Sequence, residues 1–278
     1  MQTKWRGAGG TGWRLKSVFV VAASLWMGMA ARAQDTAKPE PPKMMAKDVD
    51  PDWEVVTVKP DDPNSTETGF WIHDRGVEIK GKTAEQLLLY GYGLHQSQAL
   101  NAPGWMRTER WHVEGIAGVP GQPNREQMGS LVRKLLAERF GLVMHQEQRE
   151  MRVFALTAAK GGPKMAASAD GANAPMHEND SQSGGQATMR VKNISTGELA
   201  GTLMRLFLDR PVVDRTGLTQ RYDFLLKWTQ DETHVPMDGS APPGLFTAIQ
   251  EQLGLKLEPT KAMADVMVID KVEPPGAN

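Results

Sequence analysis

Apolar and polar residues alternate along Trp53-Glu54-Val55-Val56-Thr57-Val58, where the chain first reads as a strand. Val77-Glu78-Ile79-Lys80 alternates in the same way. Thr83 stands three residues before Gln86, a capping-box pair that predicts a helix start ahead of "LLLYGYGL". Arg110-Trp111-His112-Val113 reads as the next strand. Met128, Leu131, Val132, Leu135, Leu136 and Phe140 then fall at i, i+3, i+4 spacing, which paints one apolar stripe on a helix. Gly141 follows as its left-handed stop. Leu142–His145 and Val153–Leu156 are predicted as two strands with a short turn between them.

The same succession returns in the second half of the chain. Met189-Arg190-Val191-Lys192 precedes Ser195 and Glu198, a second capping box ahead of "LAGTLMRLF". Arg221-Tyr222-Asp223-Phe224 matches Arg110–Val113. Leu245, Ile249 and Leu253 form a second apolar stripe, stopped by Gly254. Leu255–Glu258 and Val266–Ile269 repeat the closing strands. From Gly141/Gly254 to Val153/Val266 the two halves align without a gap, and the alignment slips only slightly at Thr83/Ser195 and Arg110/Arg221. The pattern therefore predicts an α+β fold of two tandem homologous lobes. Each lobe is a βαβ-αββ unit with a largely antiparallel sheet and helices on one face. Duplication also accounts for the recurring Arg-aromatic stretch without invoking a function.

Composition divides the chain further. Residues 53–160 and 187–275 are the expected lobes. Residues 161–186 hold almost no large apolar side chain and read as a flexible linker; 34–52 read as a disordered or extended Pro-rich leader. Residues 1–33 carry a basic start, an apolar run over Ser17–Ala30 and Ala31-Arg32-Ala33, the pattern of a signal peptide cleaved after Ala33. A retained membrane anchor is the alternative, although the run is shorter than the ~20 residues of a bilayer span. No span is expected in the mature chain, which places the protein in the periplasm or outside the cell. Gly7–Gly12 fits G-x-G-x-x-G, but no strand precedes it, so no dinucleotide loop is inferred.

Charge and chemistry narrow the function. Of the 32 Lys and Arg, five lie in residues 1–33 with no acidic residue, leaving 27 against 33 Asp and Glu, a net charge of −6. Such a chain has no general pull toward nucleic acid. The absence of cysteine excludes disulfides, thiolate metal sites and cysteine nucleophiles. Past residue 33 there is no G-x-S-x-G, S-x-x-K or H-E-x-x-H motif. His112-Val113-Glu114 and His145-Gln146-Glu147 each offer two potential ligands on one strand face, but no third residue nearby completes a metal set. Lys160-Gly161-Gly162-Pro163-Lys164 follows a strand, yet a polar linker follows it in place of a helix, so it reads as a turn. No cofactor is expected. The candidate ligand-binding residues are Trp105, Arg110, Trp111 and Tyr222, since exposed aromatics beside Arg anchor binding surfaces. The competing reading is core packing for the aromatics and carboxylate pairing for the arginines.

Several stretches carry a family likeness: Trp53–Pro60, Pro103-Gly104-Trp105, "LLAERFGLVMHQEQREMRVFALTAAKGGPK" from Leu135 to Lys164, "RPVVDRTGLTQRYDF" from Arg210 to Phe224, and "LGLKLEPTKAMADVMVIDKVEPP" from Leu253 to Pro275. Together they resemble a large family of exported acidobacterial proteins built on a domain of unknown function, family 3738. The resemblance implies export and many paralogues, and fusion of similar domains behind membrane metallopeptidases. It brings no activity, cofactor or catalytic residue. The end of each half is also similar to the short N-terminal modules of secretins and TonB-dependent receptors, which serve protein contact. The expected function is that of an exported, non-catalytic binding protein whose ligand is a protein, peptide or glycan. A partner of a membrane metallopeptidase and a hydrolase with dispersed carboxylates are the alternatives.

Overall fold

The computed structural model describes residues 43–169, 185–230 and 242–276, with the backbone of 177–183. The predicted signal peptide lies outside the described residues. The first half runs β1 (Trp53–Pro60), β2 (Gly69–His73), β3 (Gly76–Thr83), α1 (Ala84–Tyr92), a 3₁₀ turn (Gln96–Gln98), β4 (Ala99–Leu100), α2 (Trp105–Thr108), β5 (Arg110–Ala117), α3 (Arg125–Arg139) and β6 (Val143–Ala158). The second runs β7 (Ala166–Ala167), β8 (His177–Ser183), β9 (Gln186–Ser195), α4 (Thr196–Leu206), β10 (Val212–Asp214), β11 (Arg221–Thr229), α5 (Leu245–Ala248), a π-turn (Ile249–Leu253) and β12 (Leu255–Lys271).

The expected capping boxes form. Thr83 and Gln86 cap α1 reciprocally, and Ser195 and Glu198 cap α4. Gly141 and Gly254 adopt φ of +57° and +67°, the left-handed stop that glycine reaches without a Cβ clash. On β5, Trp111, Val113, Gly115 and Ala117 point inward, while Arg110, His112, Glu114 and Ile116 face outward. That alternation lays one sheet face against the buried stripe of α3, where Met128, Leu131, Val132, Leu135 and Leu136 are at most 1% exposed.

Among the described residues three four-stranded sheets result. Two are counterparts, with strand orders β1-β5-β3-β2 and β7-β11-β9-β8. The third, β10-β6-β12-β4, is shared by both halves. It is antiparallel at its centre, with a short parallel strand on each edge. The architecture is α+β and mostly antiparallel, as the pattern predicts.

The predicted turns within 142–156 and 255–269 do not form. Each segment is one unbroken strand, and β6 and β12 pair with each other from Leu255↔Ala158 to Lys271↔Val143. The physical reason lies in the polar run Gln146–Arg152, which suggests a surface turn but contains no Gly, Pro, Asn or Asp to make one. The chain therefore continues straight. In β12 Pro259 stands opposite Phe154, whose amide donates to Pro211 on the far side, so Pro259 interrupts no bond to β6, and Asp265 stays in the ladder opposite Gln148.

This pairing exchanges strand ends between the halves. The first core takes Leu142 from β6's approach and Ile269 from the far end of β12. The second takes Leu255 and Leu257 from β12, and Phe154 and Leu156 from the far end of β6. The edge strands obey the same symmetry. β4 pairs with β12 at Ala99↔Met267, and β10 pairs with β6 at Val212↔Phe154. Ala99 and Val212 are repeat counterparts, and so are Phe154 and Met267. Thus the boundary that composition draws near residue 160 separates the repeats, whereas each hydrophobic core draws on both. Pro41–Asn278 forms one compact unit.

Two segments expected to lack structure hold some of it in their described residues. Within 161–186, β8 pairs with β9 from His177↔Lys192 to Ser183↔Gln186, the counterpart of the β2–β3 hairpin. A polar edge strand is held by backbone hydrogen bonds, so low apolar content does not forbid it. Residues 43–52 of the leader dock on α3. Met45 is buried, Gln127 Nε2 donates to the Ala46 and Val49 carbonyls at 2.7 and 3.0 Å, and Lys134 meets Asp50 and Asp52 at 3.1 and 2.6 Å. Polar side chains of α3 supply the attachment that the leader's own sequence lacks.

Candidate functional site

The paired arginines clasp a bend in the fold. Asn193 in β9 and Gly81 in β3 occupy equivalent positions, both with positive φ, at 57° and 63°. Arg221 donates from Nε and Nη2 to the Asn193 carbonyl at 3.0 and 2.6 Å and reaches Glu198 at 2.6 Å. Arg110 packs so closely over Gly81 that a Cβ there would lie 2.6 Å from its guanidinium. Arg110 also donates to the Ser65 and Glu67 carbonyls at 3.1 and 3.3 Å and lies 2.8 Å from Asp61. Each Arg therefore neutralises a carboxylate and braces a strand irregularity, the structural role weighed against ligand contact.

The aromatic candidates lie apart. Trp111 and Tyr222 stand at equivalent stations, 5% and 4% exposed, in the first and second cores. Trp111 meets Phe140 edge-on at 5.5 Å, and its buried Nε1 has no hydrogen-bond partner among the described residues. Trp105 opens α2 and lies half-buried, its ring parallel to that of Phe140 at 6.4 Å. The structure brings Trp105 and Trp111 to one phenylalanine, keeps Tyr222 in the other core, and holds Arg110 at its own ion pair.

The histidine pairs resolve differently. His112 Nε2 lies 3.0 Å from Glu78, across from β5 on β3, and not on Glu114. His145 is bracketed by Asp270 at 2.9 Å and Glu147 at 3.1 Å. These contacts, with Asp270 first, raise its pKa above the ordinary 6.5. Among the described residues no group of three or more His, Asp or Glu converges to hold a metal ion. Lys160–Lys164 forms a turn that docks on the π-turn, with Lys164 donating to the Leu253 and Glu251 carbonyls at 2.8 Å each.

A groove of about 390 Å³ lies where α1 and its 3₁₀ turn approach α4, and residues of both halves line it. That volume is in the range of small-ligand sites, ~300–1,000 Å³. Its apolar surface comes from Phe70, Leu89, Tyr90, Leu94, Met204 and Leu208. Phe70 and Tyr90 stack at 4.2 Å, and the Arg125 guanidinium sits 3.5 Å from the Tyr90 ring, fixing the shelf from behind. Burial pushes the Tyr90 hydroxyl's pKa up, opposed by Arg125. Gln98 ties the 3₁₀ turn to the central sheet by donating to the Asp265 carbonyl at 2.8 Å.

Cationic and titratable groups enter from three elements, beside Gln86 of α1 and Gln96. Lys82 of β3 has no ion pair among the described residues. Arg205 of α4 makes a long contact from Nη2 to Thr202 Oγ1 at 3.4 Å. His95 caps the 3₁₀ turn by accepting the Ser97 amide at Nδ1, 3.2 Å, so its neutral ring carries the proton on Nε2. Burial lowers the His95 pKa, with Asp209 opposing. No Asp or Glu lines the groove. Asp209, close by, is held bidentately by Arg210 at 2.9 and 2.8 Å.

The groove straddles the axis relating the two halves, because Gln96 and Leu208, counterparts in the two repeats, both line it. At this axis the halves differ. Tyr90 matches Thr202, His95 matches Phe207, and Gln96 matches Leu208. The fold survives with either residue, so these differences shape the groove and not the scaffold. Tyr90 is visible in the sequence but the groove is not, since its walls lie on separate repeats. Two further hollows, of about 440 and 420 Å³, are less suited. One lies on the open face of the first lateral sheet, and the other surrounds Lys80, already paired with Glu67 and Glu78 at 3.0 and 3.1 Å.

Comparison with known proteins finds the family described as "Protein of unknown function (DUF3738)", whose model matches residues 85–272. No curated protein and no solved structure matches.

Proposed function

Since the chain belongs to the protein family of unknown function DUF3738, no activity comes with its kinship, and from its own features we propose an exported, non-catalytic binding protein of the cell envelope or exterior. Its ligand sits in the groove between α1 and α4. One observation carries the reading: both repeats contribute to a groove with an apolar floor and aromatic shelf, and its formal charges are cationic only. Residues 1–33 support export through their signal-peptide pattern. No helix of the described residues is long and apolar enough to cross a membrane.

The acidic groups with shifted pKa values offer no general acid. Asp50, Glu78, Glu147, Asp209 and Asp223 all have lowered pKa values. Their first causes are the Ser130 hydroxyl, Lys80, Arg149, Arg210 and the Asn193 amide, respectively. None of the five lines the groove. Each is a carboxylate held ionised by a partner, whereas a general acid needs its pKa raised.

The test is equilibrium binding of residues 34–278 to peptide and glycan arrays, beside a Gln96→Trp variant. Gln96 is exposed on the groove wall, so a bulky ring fills the groove without entering a core. A ligand held by the wild type and lost by the variant, at unchanged thermal midpoint, supports the reading. A ligand retained equally by both places the site elsewhere.

A further inference from the structure

Resting on that reading of the groove, we propose that its ligand is the C-terminal end of a peptide with an apolar last residue, its free carboxylate recognised by Lys82 and Arg205. The groove combines two kinds of recognition. Phe70 and Tyr90 present a stacked aromatic shelf, extended by Leu94, Met204 and Leu208. Against that surface stand Lys82 and Arg205, one from each repeat, and the lining holds no carboxylate. A chain that carries a net charge of −6 after residue 33 has placed two cationic side chains and no carboxylate along one apolar groove. The charge complement is an anion attached to an apolar body.

The remaining polar groups match a peptide better than a plain hydrocarbon acid. His95 has its Nδ1 occupied by Ser97, which leaves Nε2–H as a donor. Gln86 uses its Oε1 on the Thr83 amide, which leaves its NH₂ group for other acceptors. Gln96 offers a carboxamide with both donor and acceptor capacity. Such neutral groups pair with peptide N–H and C=O, whereas an acyl chain would leave them unsatisfied and lose affinity. The groove's volume of about 390 Å³ also suits one or two terminal residues rather than a long tail.

The chemistry is read with a matched pair. N-acetyl-Leu-Phe with a free carboxylate, its C-terminal amide and decanoate are titrated calorimetrically into residues 34–278 and the Lys82→Gln, Arg205→Gln and Gln96→Trp variants. The expected result is binding of the free acid about ten- to hundredfold tighter than the amide, a charge-assisted hydrogen bond's share. Lys82→Gln and Arg205→Gln should erase that difference at unchanged thermal midpoint, and Gln96→Trp should abolish binding of both peptides. Equal affinity for acid and amide, blocked by Gln96→Trp, overturns the carboxylate assignment and leaves the groove reading intact. Decanoate binding as tightly as the peptide acid overturns the peptide assignment. Failure of all three probes to bind, or binding unaffected by Gln96→Trp, overturns this assignment; the latter also removes the groove as the site.

Discussion

Glu150 stands directly opposite Met263 in the β6–β12 ladder, and Met263 is its own counterpart in the second repeat. The axis relating the two halves therefore passes between these two residues. On either side each strand leaves its own half and completes the other's core. The molecule has the form of a strand-exchanged pair of like units joined into one chain.

Exchange makes distant substitutions act across the halves. Ile269 belongs by sequence to the second repeat but is 5% exposed in the first core. Ile269→Ala is expected to cost about 2–5 kcal/mol. Beyond the acceleration that lower global stability gives every protected amide, hydrogen exchange should speed up most in α3, whose apolar stripe lines that core. Faster exchange confined to α4 would contradict the exchanged pairing.

The same sharing predicts one cooperative unfolding event. Neither core is complete without a strand from the other half, so neither repeat can melt while the other stays folded. Calorimetry of residues 34–278 should give a single transition with matching calorimetric and van't Hoff enthalpies. Two resolved transitions would show independent lobes.

The two helix stops should respond unequally to alanine. Gly141 faces open space, so Gly141→Ala meets only the left-handed backbone penalty, about 1–2 kcal/mol. At Gly254 an added Cβ would collide with the Gly162 carbonyl oxygen in addition. Gly254→Ala should therefore be the more destabilising in urea titration, by a margin that local backbone preference alone does not explain.

Two histidines should titrate in opposite directions from 6.5. His145 is raised by Asp270 and then Glu147. Its charged form is favoured in the folded state, so its stabilisation is complete below 6.5 and disappears as pH rises through the raised value. His95 is lowered by burial, so the unfolded chain takes up its proton first. Stability falls as pH drops from 6.5 to the lowered folded value. Imidazole NMR titration should separate the two, and Asp270→Asn should bring His145 back toward 6.5.

Much of the candidate site's surroundings was legible in one dimension. Arg110 and Arg221 were readable as strand-start residues with carboxylate partners, and both have them, in Asp61 and Glu198. Trp105, Trp111 and Tyr222 were visible as aromatics, but alternation alone does not say whether an aromatic faces a core or a ligand. The groove was not legible. Tyr90 and Arg205 lie on different repeats, and neither carries a local motif.

Helices α1, α3 and α4, the Thr83 and Ser195 caps, the glycine stops at Gly141 and Gly254 and the duplication itself were determined by the sequence alone, because each is set by neighbours within a few residues or by likeness at a near-constant offset. Strand partnership was decided only in three dimensions. Leu156 and Ile269 are equivalent, so either core would accept either residue, and folding back or crossing over buries the same apolar side chains. Apolar patterning is blind to that choice. What settled it was the pairing of β6 with β12 along their whole length, which carries each strand into the opposite half and brings α1 and α4 together over a shared groove.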